Sequence, residues 1–125
     1  MQQMQNQDPL QRANSFARRG KTFEADQKYI ESLRRDPNNA EAHYHYGCHL
    51  FDTKRLADAK KEFDICLNLN PQHGKCHRKY SDMLGFMGKI QEAQRHFELA
   101  EQFDLRPDSP DKNFKSKWAL NPQEK

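Results

Sequence analysis

Apolar and small residues recur along this chain at steps of three and four, the spacing that gathers them on one face of an α-helix. Tyr46, Gly47, Leu50 and Phe51 form one such face, and Leu56, Ala59, Phe63, Cys66 and Leu67 form the next. Helix boundaries follow from residues that start or stop the helical backbone. Asp8 before Pro9 reads as an N-cap with proline in the first turn, Asn39 as the cap of a helix from Ala40, and Pro37 and Pro71 as interruptions. Gly20 and Gly88 suit tight turns. The pattern predicts six helices, at about 9–19, 22–35, 40–52, 56–69, 74–87 and 90–104. Period-two alternation of any weight is missing, so no strand is expected.

The helices repeat. A shift of 34 residues superposes Ala13, Gly47 and Ser81; Phe16, Leu50 and Leu84; Ala25, Ala59 and Ala93; and Tyr29, Phe63 and Phe97. Thr22, Leu56 and Ile90 fall in one column, Ser32, Cys66 and Ala100 in another, and Pro37 meets Pro71, while the third copy has Leu105 there and a proline two residues on, at Pro107. Each column keeps one size class, as packing demands. Small residues at Ala13, Gly47, Ser81, Ala25, Ala59 and Ala93 let helices approach closely, and the aromatic column is expected to fill the gap between successive helix pairs. One pair cannot bury such a face alone, so several must stack.

These columns resemble the tetratricopeptide repeat, a helix-turn-helix unit of the same length whose signature is small and aromatic positions ending in proline. The second repeat carries the pattern best, in Tyr46-Gly47, Leu50, Ala59, Phe63 and Pro71. Departures are Pro9 and Arg12 where the family prefers a bulky apolar pair, His43 and His77 where it often has tryptophan, and Leu105 for proline. The resemblance implies an all-α, right-handed superhelical stack with repeats at 6–39, 40–73 and 74–107, after a Gln-rich tail at 1–7 whose side chains offer little apolar surface to offset ordering entropy. In segment 108–125 the same shift places Phe114 and Trp118 in the core register, with Ser109-Pro110 as a start signal and Pro122 as a stop. A capping helix and a frayed tail are the two readings of that segment.

Charge narrows the partners. The 21 basic and 18 acidic residues leave a net charge of +3, and no repeat holds the excess, which argues against a polybasic nucleic-acid arm or membrane-surface patch. Pentatricopeptide repeats, which read RNA, have a similar length but a different period. No segment has the length and apolarity of a transmembrane helix or a cleaved leader, and three cysteines, Cys48, Cys66 and Cys76, point to thiols in a reducing compartment, cytosol or nucleus.

Catalytic chemistry finds little footing. No phosphate-cradling glycine loop, nucleophile elbow or CxxC pair occurs. His45/His49 and His73/His77 have the i, i+4 spacing that can share a metal on one helix face. Against this, His43 and His77 occupy one repeat column, which explains them as packing aromatics, and Cys66 sits in a small-residue column. No enzyme activity, metal or cofactor is therefore expected.

In a tetratricopeptide stack the first helices line a concave groove, so the resemblance implies that Tyr44, Phe51 and Phe86 border a ligand surface; sealing contacts with the neighbouring repeat are the equal alternative. The expected role is a peptide-binding adaptor, with an assembly subunit acting through the stack ends as the rival reading and RNA binding as a third. Some family members grip the acidic C-terminus of Hsp70 or Hsp90 chaperones with a carboxylate clamp. Carried over by position, that clamp finds Asn14 and Lys75, with Lys79 replacing an arginine, His45 replacing an asparagine and Leu10 replacing a lysine. The peptide-binding candidates are thus Asn14, Tyr44, His45, Phe51, Lys75, Lys79 and Phe86.

Overall fold

A computed structural model describes residues 8–104. The Gln-rich start, Leu105, Pro107 and the expected capping segment 108–125 with Phe114 and Trp118 lie outside the described residues. Six helices run in order: α1 Pro9–Arg18, α2 Thr22–Arg35, α3 Ala40–Asp52, α4 Leu56–Leu69, α5 Gly74–Phe86 and α6 Ile90–Asp104. They differ from the expected spans only at the ends of α1 and α5, each one residue shorter, and the described residues hold no strand. The chain divides into two compact units, Met1–Leu69 with α1 to α4 and Asn70–Lys125 with α5 and α6. Within them the helices pack as the pairs α1–α2, α3–α4 and α5–α6, and in the first unit α2 and α1 also touch α3.

The turn inside each pair is built three times in one way. Lys21, Arg55 and Lys89 donate their backbone N–H to the carbonyls of Phe16, Leu50 and Leu84, five residues back, at 2.9, 2.8 and 2.8 Å. The preceding residues Gly20, Lys54 and Gly88 donate three residues back, to Ala17, Phe51 and Gly85. This double closure satisfies the last carbonyls of the first helix and needs one residue in the left-handed region. Gly20 and Gly88 take it at φ 77° and 84°; Lys54, in the same column, takes it at φ 66° without the steric relief a glycine has.

Between pairs the start of the next helix is capped by side chains. Asn39 accepts from the Ala42 N–H at 3.2 Å, as its sequence position predicts. His73, one period later, does the same with Nδ1 toward the Cys76 N–H at 3.1 Å. Asp8 does not conform: it makes no side-chain capping bond, although Pro9 takes the first helical position as expected.

Ala13, Ala25, Ala59, Ala93 and Ser81 are fully buried, as close helix approach requires. Ser81 Oγ also donates to the Ala93 carbonyl at 2.8 Å, which ties two of the small-residue columns together across the third pair. The aromatic column also packs inside its own pairs. Phe63 is fully buried against Gly47 of its own pair, where a methyl group on Gly47 would stand 2.6 Å from the ring. It therefore fills the space inside the pair, and burying such a side chain contributes roughly 1.5–3 kcal/mol. Phe97 is half-buried with the Arg78 guanidinium 5.7 Å above its ring, again within one pair. Tyr29 reaches the next pair, stacking on Tyr46 at 5.2 Å.

The histidine column is more than packing. His43 and His77 are buried, and each turns Nε2 to the carbonyl of the proline that precedes its helix, Pro37 or Pro71, at 2.8 Å. The proline columns thus serve as acceptors that fix the inter-pair loop as well as helix breakers. The other ring nitrogen crosses to the second helix, where His43 Nδ1 meets Glu62 Oε1 at 2.7 Å and His77 Nδ1 meets His96 Nδ1 at 3.0 Å. Glu62 and His96 occupy one column, so the same bridge is an acid–base pair in one repeat and a histidine pair in the next.

Candidate functional site

In the first unit, the candidate residues lie on α1 and α3. Asn14 is half-buried on α1, and its Oδ1 accepts a 2.6 Å hydrogen bond from the Tyr29 hydroxyl on α2. Tyr29 itself is buried, and its ring lies against Tyr46 at 5.2 Å and His49 at 5.4 Å. Burial first, and then the nearby Cys48 and Asp52, push the phenol well above its ordinary range, so it stays protonated wherever the fold survives. An asparagine amide has one acceptor oxygen and an NH2 with two donors. With the oxygen held by tyrosine, the NH2 is what remains for a ligand.

Tyr44, His45 and Phe51 are all half-buried on α3. Tyr44 and His45 meet edge to face at 5.0 Å, and His45 Nε2 lies 3.3 Å from Glu41 Oε1 one turn earlier. A carboxylate ligand must therefore compete with Glu41 for the donor that the sequence assigned to His45. His49 does not join His45 in a shared metal position. It is buried, and its Nε2 faces Asp26 Oδ1 on α2 at 3.1 Å.

That Asp26 is the centre of a polar lock between the first two pairs. Arg55 reaches it with two parallel bonds, Nη1 to Oδ2 and Nη2 to Oδ1, both 3.0 Å. Arg55 Nε also donates to Thr53 Oγ1 at 3.0 Å, while the Thr53 hydroxyl donates to the His49 carbonyl at 2.9 Å. The hydrogen bond to Asp26 raises the Arg55 guanidinium above its ordinary value. Neither Asp26 nor Arg55 is legible as a pair in the repeat columns. Their counterparts are Lys60 and Gln94, and Lys21 and Lys89, so the sequence signal is a column that changes character.

In the second unit, Lys75 is exposed and Lys79 half-buried, one turn apart on α5, and Phe86 at the end of α5 is 54% exposed. His73 and His77 do not act as an i, i+4 pair, since His73 caps α5 and His77 bridges Pro71 and His96. The His77–His96 ring centroids are 5.2 Å apart with nitrogens at 3.0 Å, which puts the two nitrogens head-on along the line of centres. That is the geometry of an N–H···N hydrogen bond, with no room between for a metal at the usual ~2.0–2.1 Å metal–nitrogen distance. Among the described residues no group of three or more His, Cys, Asp or Glu is placed to hold a metal ion. Cys66 and Cys76 are buried and Cys48 half-buried, all as thiols. Nor is any helix of the described residues long and apolar enough to cross a membrane.

Comparison with protein-family models gives no match, and comparison with curated proteins gives none either. Solved structures do match. MamA from MSR-1 is 28% identical over 75% of this chain and 54% of its own, with a TM-score of 0.67. MamA from AMB-1 is 26% identical, over 82% of this chain and 55% of its own, also at 0.67. The chain thus spans about half the length of the MamA chains it matches. The first tetratricopeptide domain of Spaghetti (RPAP3), solved with the HSP90 peptide SRMEEVD, is 19% identical over 87% of this chain and 85% of its own, with a TM-score of 0.78. With helix pairs recurring at a 34-residue period and these structural neighbours, the chain is a tetratricopeptide-like protein, an all-α helical repeat solenoid.

Proposed function

We propose that the chain is a protein-interaction module whose first helices take a peptide segment of a partner protein, and that the segment ends in an acidic C-terminus. The observation that carries the reading is Asn14: its oxygen is occupied by Tyr29, so the amide offers donors, which suit a carboxylate. Lys75 and Lys79, one turn apart on α5 of the second unit, are two further positive charges that this reading assigns to the ligand. The likeness in fold to a domain solved with the HSP90 peptide SRMEEVD supports the same class of ligand, the acidic C-terminal peptide of a chaperone. Tyr44, Phe51 and Phe86 would supply apolar contact area, and His45 a further donor in competition with Glu41.

Each exposed lysine–carboxylate pair contributes only ~0.2–1 kcal/mol, so binding is expected to be weak and salt-sensitive. Titration calorimetry with SRMEEVD at low salt should show binding that fades as salt is added, and Lys75→Glu with Lys79→Glu should remove it. No binding at low salt, or equal binding by the charge-reversed variant, would assign the first helices to an apolar or internal peptide instead.

A further inference from the structure

We infer that the Tyr29 hydroxyl is a positioning group that fixes the Asn14 side-chain amide with its NH2 turned toward the peptide carboxylate. This rests on the peptide-binding reading above and adds a determinant to it.

The amide of an asparagine can present either of two opposite faces by turning half a revolution about its last bond. One orientation offers N–H donors and attracts a carboxylate; the other offers a carbonyl oxygen and repels it. On an exposed helix surface both are sampled. Here the hydroxyl donates to Oδ1 at 2.6 Å from the adjacent helix, 15 residues along the chain, and so selects the donor face. The hydroxyl is itself held in place. Its ring is clasped by Tyr46 and His49, His49 faces Asp26 at 3.1 Å, and Asp26 is gripped by both terminal nitrogens of Arg55. A chain of contacts from Arg55 to Asn14 thus removes the freedom of the one atom that decides which face is shown.

The repeats provide an internal comparison. The Tyr29 column continues as Phe63 and Phe97, and the Asn14 column as Cys48 and Asp82. A phenylalanine suffices for packing at this position twice over. The hydroxyl occurs in the one repeat that has an amide opposite it.

The test is calorimetry on the full chain with two probes, SRMEEVD with a free C-terminus and the same peptide amidated. Tyr29→Phe should bind the free-acid peptide about 5–10-fold more weakly and the amidated peptide as the parent chain does. Asn14→Ala should lose the same factor, and the double variant should lose no more than either alone. Asn14→Asp retains an acceptor for the hydroxyl but removes the NH2, and should lose the free-acid preference with an unchanged melting midpoint. Parent-like binding by Tyr29→Phe, equal weakening toward both peptides, or additive losses in the double variant would overturn the positioning role. If the parent chain binds neither peptide, the peptide-binding reading itself falls. The orientation is then decided by nuclear magnetic resonance, where the Asn14 side-chain NH2 should be ordered in the parent and lose that order in Tyr29→Phe; equal order in both would overturn it.

Discussion

Gly47 shows how far a single position can be constrained by one neighbour. An added methyl would meet Cε1 and Cδ1 of Phe63 at 2.6 and 2.7 Å, and that ring is fully buried with nowhere to yield. Gly47→Ala should therefore destabilise the chain despite alanine's higher helix propensity, by roughly 1–3 kcal/mol as an overpacked core does. A urea melt that moves its midpoint downward with an unchanged slope checks this, whereas an upward shift would mean that propensity outweighs the clash. The equivalent residues Ala13 and Ser81 show that the column tolerates a Cβ elsewhere, where its partner aromatic is Tyr29 or Phe97. The small-residue rule was visible in the sequence; which member sits tightest was not, because that depends on where one ring comes to rest.

At the scale of elements, the bridge between the first and second helix of a pair changes chemistry from one repeat to the next. His43 faces a carboxylate on Glu62, so a proton on the ring turns the contact into an ion pair. His77 faces His96, and burial first, with the nearby His73 adding to it, holds the His77 ring below its ordinary value against the opposing pull of the Pro71 carbonyl. A histidine whose folded value is depressed binds its proton more readily when unfolded. Its contribution to stability is therefore present above the unfolded value of about 6.5 and lost as the pH falls below it. Protection of α5 and α6 against hydrogen exchange, corrected for the intrinsic pH dependence of amide exchange, should fall between pH 7.5 and 5.5, and His96→Glu, which restores the pairing of the other repeat, should reduce that fall. Protection in these helices that is constant across the range would contradict this assignment. The column pairing of His43 with His77 was legible, but as packing alone. Polar bridges between helices depend on which side chain happens to stand opposite, and no periodicity reports it.

At the scale of the molecule, the number, order and spans of the helices among the described residues could be read from periodicity, caps and prolines because those signals are local and occur three times over. The candidate peptide residues could be placed on their helices for the same reason. What repetition hides is the exception: Tyr29 carries a hydroxyl where its counterparts are phenylalanine, Lys54 stands at a left-handed turn where its counterparts are glycine, and Phe23 is 69% exposed on α2 where its counterparts are Ala57 and Gln91. Such breaks become informative only when the structure supplies the partner. The lock formed by Asp26, Arg55 and His49 is one of them, and its consequence lies in time. It joins residues 23 and 29 apart in the chain, across the boundary between two helix pairs, so we predict that it closes late in folding. A contact absent from the folding transition state would act as a brake on unfolding alone. Asp26→Asn should leave the refolding arm of a stopped-flow chevron within about twofold of the parent and raise the unfolding rate about tenfold, equivalent to roughly 1.4 kcal/mol. Slowed refolding would instead place the lock in the nucleus. If the brake holds, the lifetime of the α1 and α3 surface that carries Asn14, Tyr44 and His45 is governed by a single carboxylate on α2.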